Sequence, residues 1–174
     1  MIVKKRGPEP GRISEPPLVI GIGNEFRDDD AVGILVAREL RRRCPGASIV
    51  EVTGEGTALM AAWAGHENVI IVDAVSSGEE PGTITTVNMA EEDVSRHLFP
   101  SSSHAFGVAE AVALAKRLHN LPSRLVLYGI EGKEFGAGVG LSTPVVRQIP
   151  DLIALIQKEI LSPGATPPYM LQPS

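Results

Sequence analysis

Apolar positions along this chain follow two rhythms. Short, nearly unbroken runs occur at 17–23 (PLVIGIG), 48–52 (SIVEV), 68–75 (NVIIVDAV), 83–89 (TITTVNM) and 124–131 (RLVLYGIE). Their length and β-branched content predict five strands. Between them the spacing lengthens to a helical period. Residues 29–43 place Val32, Leu35, Val36 and Leu40 on one face, and 57–65, 104–118 and 141–161 predict three further helices. The first helix starts at Asp28, Asp29 and Asp30 and ends at Arg41, Arg42 and Arg43. Those charges suit the helix dipole by roughly 0.3–1 kcal/mol each, and Asp28 is expected to serve as the cap. The last helix has Ser142 or Thr143 as cap and Pro144 in its first turn. Pro150 is expected to break or kink it, because proline lacks the N–H and clashes with the preceding turn.

Strands alternating with helices imply an α/β fold. Runs that are apolar throughout imply strands buried on both faces. The expectation is a three-layer sandwich: a twisted, mostly parallel five-stranded sheet with helices on both faces. Residues 17–161 form one domain by this reading, flanked by flexible tails at 1–16 and 162–174 that are rich in proline and lack an apolar period. In such sheets the ligand site lies outside the carboxyl ends of the strands.

Charge narrows the chemistry. The 174 residues carry a formal net charge of −5. Lys4, Lys5, Arg6 and Arg12 against Glu9 and Glu15 put +2 on the first 16 residues, which leaves −7 on the rest. An acidic body with 4% aromatic residues argues against nucleic acid as a partner. No run reaches the roughly 18 apolar residues of a membrane span, so no membrane partner is expected. Cys44 is the single cysteine and reads as a half-buried thiol at a helix end. With no intrachain disulfide possible and no signal-peptide core, a cytoplasmic location is expected.

The segment GIGNEFRDDDAVG, 21–33, has a strand, a glycine turn and a helix, the layout of a phosphate cradle. It departs from G-x-G-x-x-G at Phe26, and Glu25, Asp28, Asp29 and Asp30 crowd the turn. Carboxylates at 4 Å repel a phosphate by about 1 kcal/mol per pair even in bulk water, so a dinucleotide is disfavoured despite Glu51 standing where a ribose-binding acid would. Asp73 ends the third strand and His104 opens a helix, so the topology gathers the acidic turn, Asp73 and His104 at one end of the sheet. Two carboxylates and an imidazole suit a divalent transition metal such as nickel, zinc or iron. Each alone has a plainer role: one aspartate caps a helix, Asp73 faces a neighbouring helix terminus, and His104 is an N-cap or core histidine. A serine hydrolase built on Ser101, Ser102 or Ser103 lacks the G-x-S-x-G elbow. An aspartic pair of Asp30 and Asp73 leaves His104 unused. His66, His97 and His119 read as surface residues. The glycine-rich loop 131–140 reads either as mobile and idle or as an adaptable surface for an extended peptide.

Taken in order, these blocks resemble the nickel–iron hydrogenase maturation endopeptidases over roughly 17–161. The opening signature is carried by Gly21, Gly23, Asn24, Asp29, Asp30 and Gly33. VIIVDAV, SSSHAFGVAEAV and GAGVGLSTP match the later segments. The resemblance implies an endopeptidase that removes the C-terminal extension of a hydrogenase large-subunit precursor after nickel insertion. It assigns Asp30, Asp73 and His104 as the metal-contacting and catalytic positions. The nickel is carried by the substrate, and no resident cofactor is expected. The first of these positions is often Glu in relatives and is Asp30 here. The alternatives are a maturation chaperone that binds metal and peptide without cutting, and a small-molecule hydrolase with its own metal.

Overall fold

The computed structural model describes residues 15–91 and 107–163. The chain runs β1 (Leu18–Ile22), a 3-10 turn (Asp28–Ala31), α1 (Val32–Arg43), β2 (Ile49–Val52), α2 (Gly56–Trp63), β3 (Asn68–Val75), β4 (Ile84–Asn88), α3 (Val108–Arg117), β5 (Arg124–Glu131) and α4 (Thr143–Leu161). The segments expected as tails lie almost wholly outside the described residues. Among those residues no helix is long and apolar enough to cross a membrane.

One sheet has the order β2-β1-β3-β5-β4. The pairs β2–β1, β1–β3 and β3–β5 are parallel, and β4 joins β5 antiparallel at the edge. The three-layer arrangement follows from the side chains of the central strands. Val69, Ile71 and Val75 pack with Leu59 and Trp63 of α2 and Val112 of α3. Ile70 and Val72, of opposite parity, pack with Val36 and Leu40 of α1 and Leu152 and Ile156 of α4. β3 is buried along its whole length, as strands covered on both faces must be. Its neighbour β1 is the point where the chain turns outward to β2 and then crosses back, which makes the β1–β3 boundary the topological switch point.

Two expectations about helices need correction. Pro150 does not break α4: it lies inside a helix that runs from Thr143 to Leu161. It is exposed, so the carbonyl it leaves without a donor is on the solvent side, and the apolar face on the other side holds the helix together. Asp28 does not cap α1. Neither the 3-10 turn nor α1 has a side-chain cap, and Asp28 adopts φ 48°, a left-handed conformation that aspartate tolerates better than most residues. α2 is capped by a residue outside the usual set: the Glu55 carboxylate accepts from the N–H groups of Thr57 and Ala58.

The seat of α1 on the sheet is backbone against backbone. A Cβ on Gly33 would lie 2.2 Å from the Ile22 carbonyl oxygen and 2.3 Å from that of Val72; one on Gly21 would lie 2.3 Å from the Gly33 oxygen. No side chain at Gly33 fits between the helix and the ends of β1 and β3. Gly33→Ala is therefore expected to lift the start of α1 from the sheet and to destabilise the protein by about 2–4 kcal/mol, read from the midpoint of urea unfolding. A change below about 0.5 kcal/mol contradicts this packing account.

Candidate active site

The site region is built where β1 and β3 end. After Ile22 the chain turns at Gly23, and a Cβ there would fall 1.9 Å from the Asp30 carbonyl oxygen. The turn is closed by Asn24 N–H donating to Asp30 O, Arg27 N–H to Asn24 O and Asp30 N–H to Arg27 O, at 3.1–3.3 Å. Three consecutive aspartates emerge from it in different environments. Asp28 and Asp30 are half-buried and Asp29 is fully buried.

Asp73 lies near the carboxyl end of β3, just before Ala74 and Val75, and is 6% exposed. It shares parity with Ile71 and Val75 and so belongs to the α2–α3 face. Burial pushes its carboxyl well above the ordinary carboxylate range, the negative charge of Asp30 pushes it further, and a hydrogen bond from the Ala74 N–H opposes both. Asp30 is thus close enough for its charge to act on Asp73. These are two of the three residues singled out from the sequence. The third, His104, lies outside the described residues, as do His97 and Ser101 to Ser103. His66 and His119 are exposed, as expected. Among the described residues no group of three His, Cys, Asp or Glu is gathered to hold a metal ion. What is described is a pair of carboxylates sharing one field.

Asp29 does something that local spacing does not predict. Its Oδ2 accepts from the N–H of Lys133 at 2.8 Å, the N–H of Glu134 at 2.9 Å and the Ser142 hydroxyl at 2.8 Å. Its Oδ1 accepts from the N–H of Ser142 at 2.7 Å. Burial alone would raise this carboxyl. The donors from Glu134, Ser142 and Lys133 and the Ser142 hydroxyl outweigh it and hold the group below its ordinary range. Backbone contacts continue the zipper: Asp29 N–H donates to Glu134 O, Asp28 N–H to Gly138 O, and Gly138 N–H to Phe26 O. Arg27 Nη2 donates to Phe135 O. Phe135 and Leu141 pack against the α1–α4 core. The glycine-rich loop is therefore tied to the acidic turn. At its outer rim Phe26 is 73% and Val139 83% exposed.

A third buried carboxylate ends β5. Glu131 accepts from Ser77 N–H and hydroxyl and from Gly78 N–H, fixing the connection between β3 and β4. On the α1–α4 side of the sheet Glu159 of α4 takes hydrogen bonds from Arg124, at the start of β5, and from Tyr128 in its middle. That network holds α4 to β5. Neither carboxylate is signalled in the sequence, since their partners lie 31 to 54 residues away.

Known proteins share the sequence and fold of this chain. The profile of the hydrogenase maturation protease family (HycI) matches residues 34–159, a span that contains Asp73 and His104 and begins four residues after Asp30. The chain is 32% identical over 135 residues to hydrogenase 2 maturation protease of Escherichia coli (strain K12), covering 74% of this chain and 80% of that protein. It is 37% identical over 134 residues to protein FrxA of Pyrococcus furiosus, covering 74% and 93%. Its fold matches the hydrogenase maturating endopeptidase HybD from E. coli with a TM-score of 0.65 at 23% identity, over 80% of this chain and 88% of that one. It matches the [NiFe] hydrogenase maturation protease HycI from Thermococcus kodakarensis KOD1 with a TM-score of 0.63 at 24% identity, over 86% and 96%.

The two buried aspartates have opposite linkage to pH. A carboxyl raised in the folded state ionises first in the unfolded chain. Asp73 therefore lowers stability as pH rises above the ordinary value of ~3.9. Asp29, depressed when folded, adds stability above that value, and the gain is lost as pH falls through its folded pKa. Asp73→Asn is expected to be more stable than the parent at pH 7, with the gap closing below about pH 4. Asp29→Asn is expected to be less stable at pH 7, with its gap also narrowing in acid. Urea unfolding between about pH 3 and pH 7 reads both; equal signs for the two variants at pH 7 contradict the assignment.

Proposed function

The chain belongs to the hydrogenase maturation protease family, and from that premise we propose that it removes the C-terminal extension of a nickel–iron hydrogenase large-subunit precursor once nickel is in place. It is an endopeptidase of hydrogenase maturation. The proposal concerns how it recognises the bond to cut.

Nickel enters as part of the substrate. Asp30 and Asp73 supply oxygen donors and His104, by its place in the motif, a nitrogen donor; this set suits a borderline divalent ion. The observation that carries the reading is the placement of Asp30 within electrostatic reach of buried Asp73 at the ends of β1 and β3. Two carboxylates in one field repel each other, and a divalent cation brought by the precursor relieves that repulsion. A precursor without nickel brings no such charge and gains nothing from the pair. Checking for nickel and placing the scissile peptide then become one event. In the hydrolysis, a water oxygen adds to the scissile carbonyl carbon, the C–N bond breaks, and a proton passes to the leaving amine. The cation polarises the carbonyl, and a carboxylate of the set carries the proton.

Incubation of nickel-loaded precursor with Asp30→Asn, Asp73→Asn and His104→Gln proteins, followed by mass spectrometry of the large subunit, tests this. Each variant is expected to lose about 10²–10⁴-fold in cleavage rate, and nickel-free precursor is expected to stay uncut. Parental rates in all three variants overturn the site. A large subunit left intact by the parent protein points instead to a non-cleaving chaperone. A stoichiometric, tightly held ion in the purified protein points to a resident-metal hydrolase.

A further inference from the structure

The proposed reaction uses Asp30 and Asp73 and gives Asp29 no part, yet Asp29 is the aspartate of the turn that is removed entirely from water. A helix cap would take N–H groups two or three residues ahead. The partners of Asp29 are instead 104 to 113 residues away in sequence. Its carboxylate therefore works as a tether between the turn after β1 and the segment between β5 and α4. The peptide unit next to it is clamped as well. Asp30 N–H donates to Arg27 O, and Asp30 O receives Asn24 N–H while sitting against Gly23. Asp30 is thus fixed on one side by the Asp29 tether and on the other by the floor of the turn.

We propose that Asp29 is a positioning residue for the reaction: through Lys133, Glu134 and Ser142 it sets the direction of Asp30 toward Asp73 and holds the glycine-rich loop against the acidic turn. This rests on the function proposed above. The geometry separates it from a stability role alone. A tether that only held the fold would be replaceable by any contact of equal strength. One that aims Asp30 shows itself in turnover, because a misplacement of about 1 Å in a reacting group costs on the order of 10²-fold in rate.

Two variants test it. Asp29→Asn replaces one acceptor oxygen with an NH₂ that faces N–H or O–H donors. Ser142→Ala removes one of the four donors and leaves the backbone bonds in place. With nickel-loaded precursor, Asp29→Asn is expected to lower kcat by about 10²-fold with KM changed less than about threefold. Ser142→Ala is expected to lower kcat by about two- to fivefold in the same pattern. Independently of activity, hydrogen exchange at the amides of Lys133, Glu134 and Ser142 is expected to speed at least about tenfold in Asp29→Asn, while β3 amides keep their protection. Folded Asp29→Asn protein with faster loop exchange and parental kcat overturns the proposal and leaves a structural tether. If Asp29→Asn does not fold, Ser142→Ala decides: parental kcat overturns the proposal, and a lowered kcat at constant KM supports it. A parent protein that leaves the precursor uncut fails the function proposed above. A cutting parent with unaffected variants fails only the role of Asp29.

Discussion

Gly33 meets the carbonyl oxygens of Ile22 and Val72 with no side chain between them, and the rest of the site hangs from that contact. A helix held at side-chain distance would leave the 3-10 turn clear of the strand ends, with Asp30 out of reach of Asp73. Contact of backbone with backbone lets the half-buried Asp30 and the buried Asp73 share one field. The glycines of this strand–glycine–helix layout serve closeness of backbone to backbone.

Asp29 and Asp73 are both buried aspartates, and their carboxyls move in opposite directions. The difference is the supply of donors. Asp29 has four, so its charge is satisfied without a cation. Among the described residues Asp73 has the Ala74 N–H and a negatively charged neighbour, so burial of its charge is poorly compensated by them. Buried polar groups that are fully bonded stiffen a structure, and those that are not are held at a cost in stability. The first kind ties the glycine-rich loop to the acidic turn, and the second stands near the end of β3 with its charge poorly met. Arg124, Tyr128 and Glu159 supply bonded polar structure between β5 and α4, on the sheet face opposite that of Asp73.

What can be read from the sequence is what repeats within a few residues. The runs at 17–23, 68–75 and 124–131 are β1, β3 and β5, and the periods at 29–43 and 141–161 are α1 and α4. The approach of Asp30 to Asp73 follows from topology, since parallel strands bring their carboxyl ends together. The partners of Asp29, Glu131 and Glu159 are not legible, because those bonds are made over tens of residues and leave no local pattern. For the same reason the sequence does not say whether loop 131–140 is tied down: its glycines are visible there, and the carboxylate that ties it is not. Pro150 departs from expectation because its effect depends on which face of α4 it occupies, and the solvent face tolerates the missing N–H. His104 lies outside the described residues, so the third member of the set rests on its motif.

The tether at Asp29 also fixes how the site responds to ionic strength. Its four donors are uncharged and the carboxylate is out of contact with water, so mobile ions have little purchase on it. Surface pairs such as Arg38 with Glu25 and Glu51 loosen as the Debye length falls from about 10 Å at 0.1 M to about 3 Å at 1 M. The Asp29 tether is not such a pair. Salt then loosens the surface pairs and leaves the Asp29 tether in place, so the turn after β1 and the loop after β5 stay joined across that range of ionic strength.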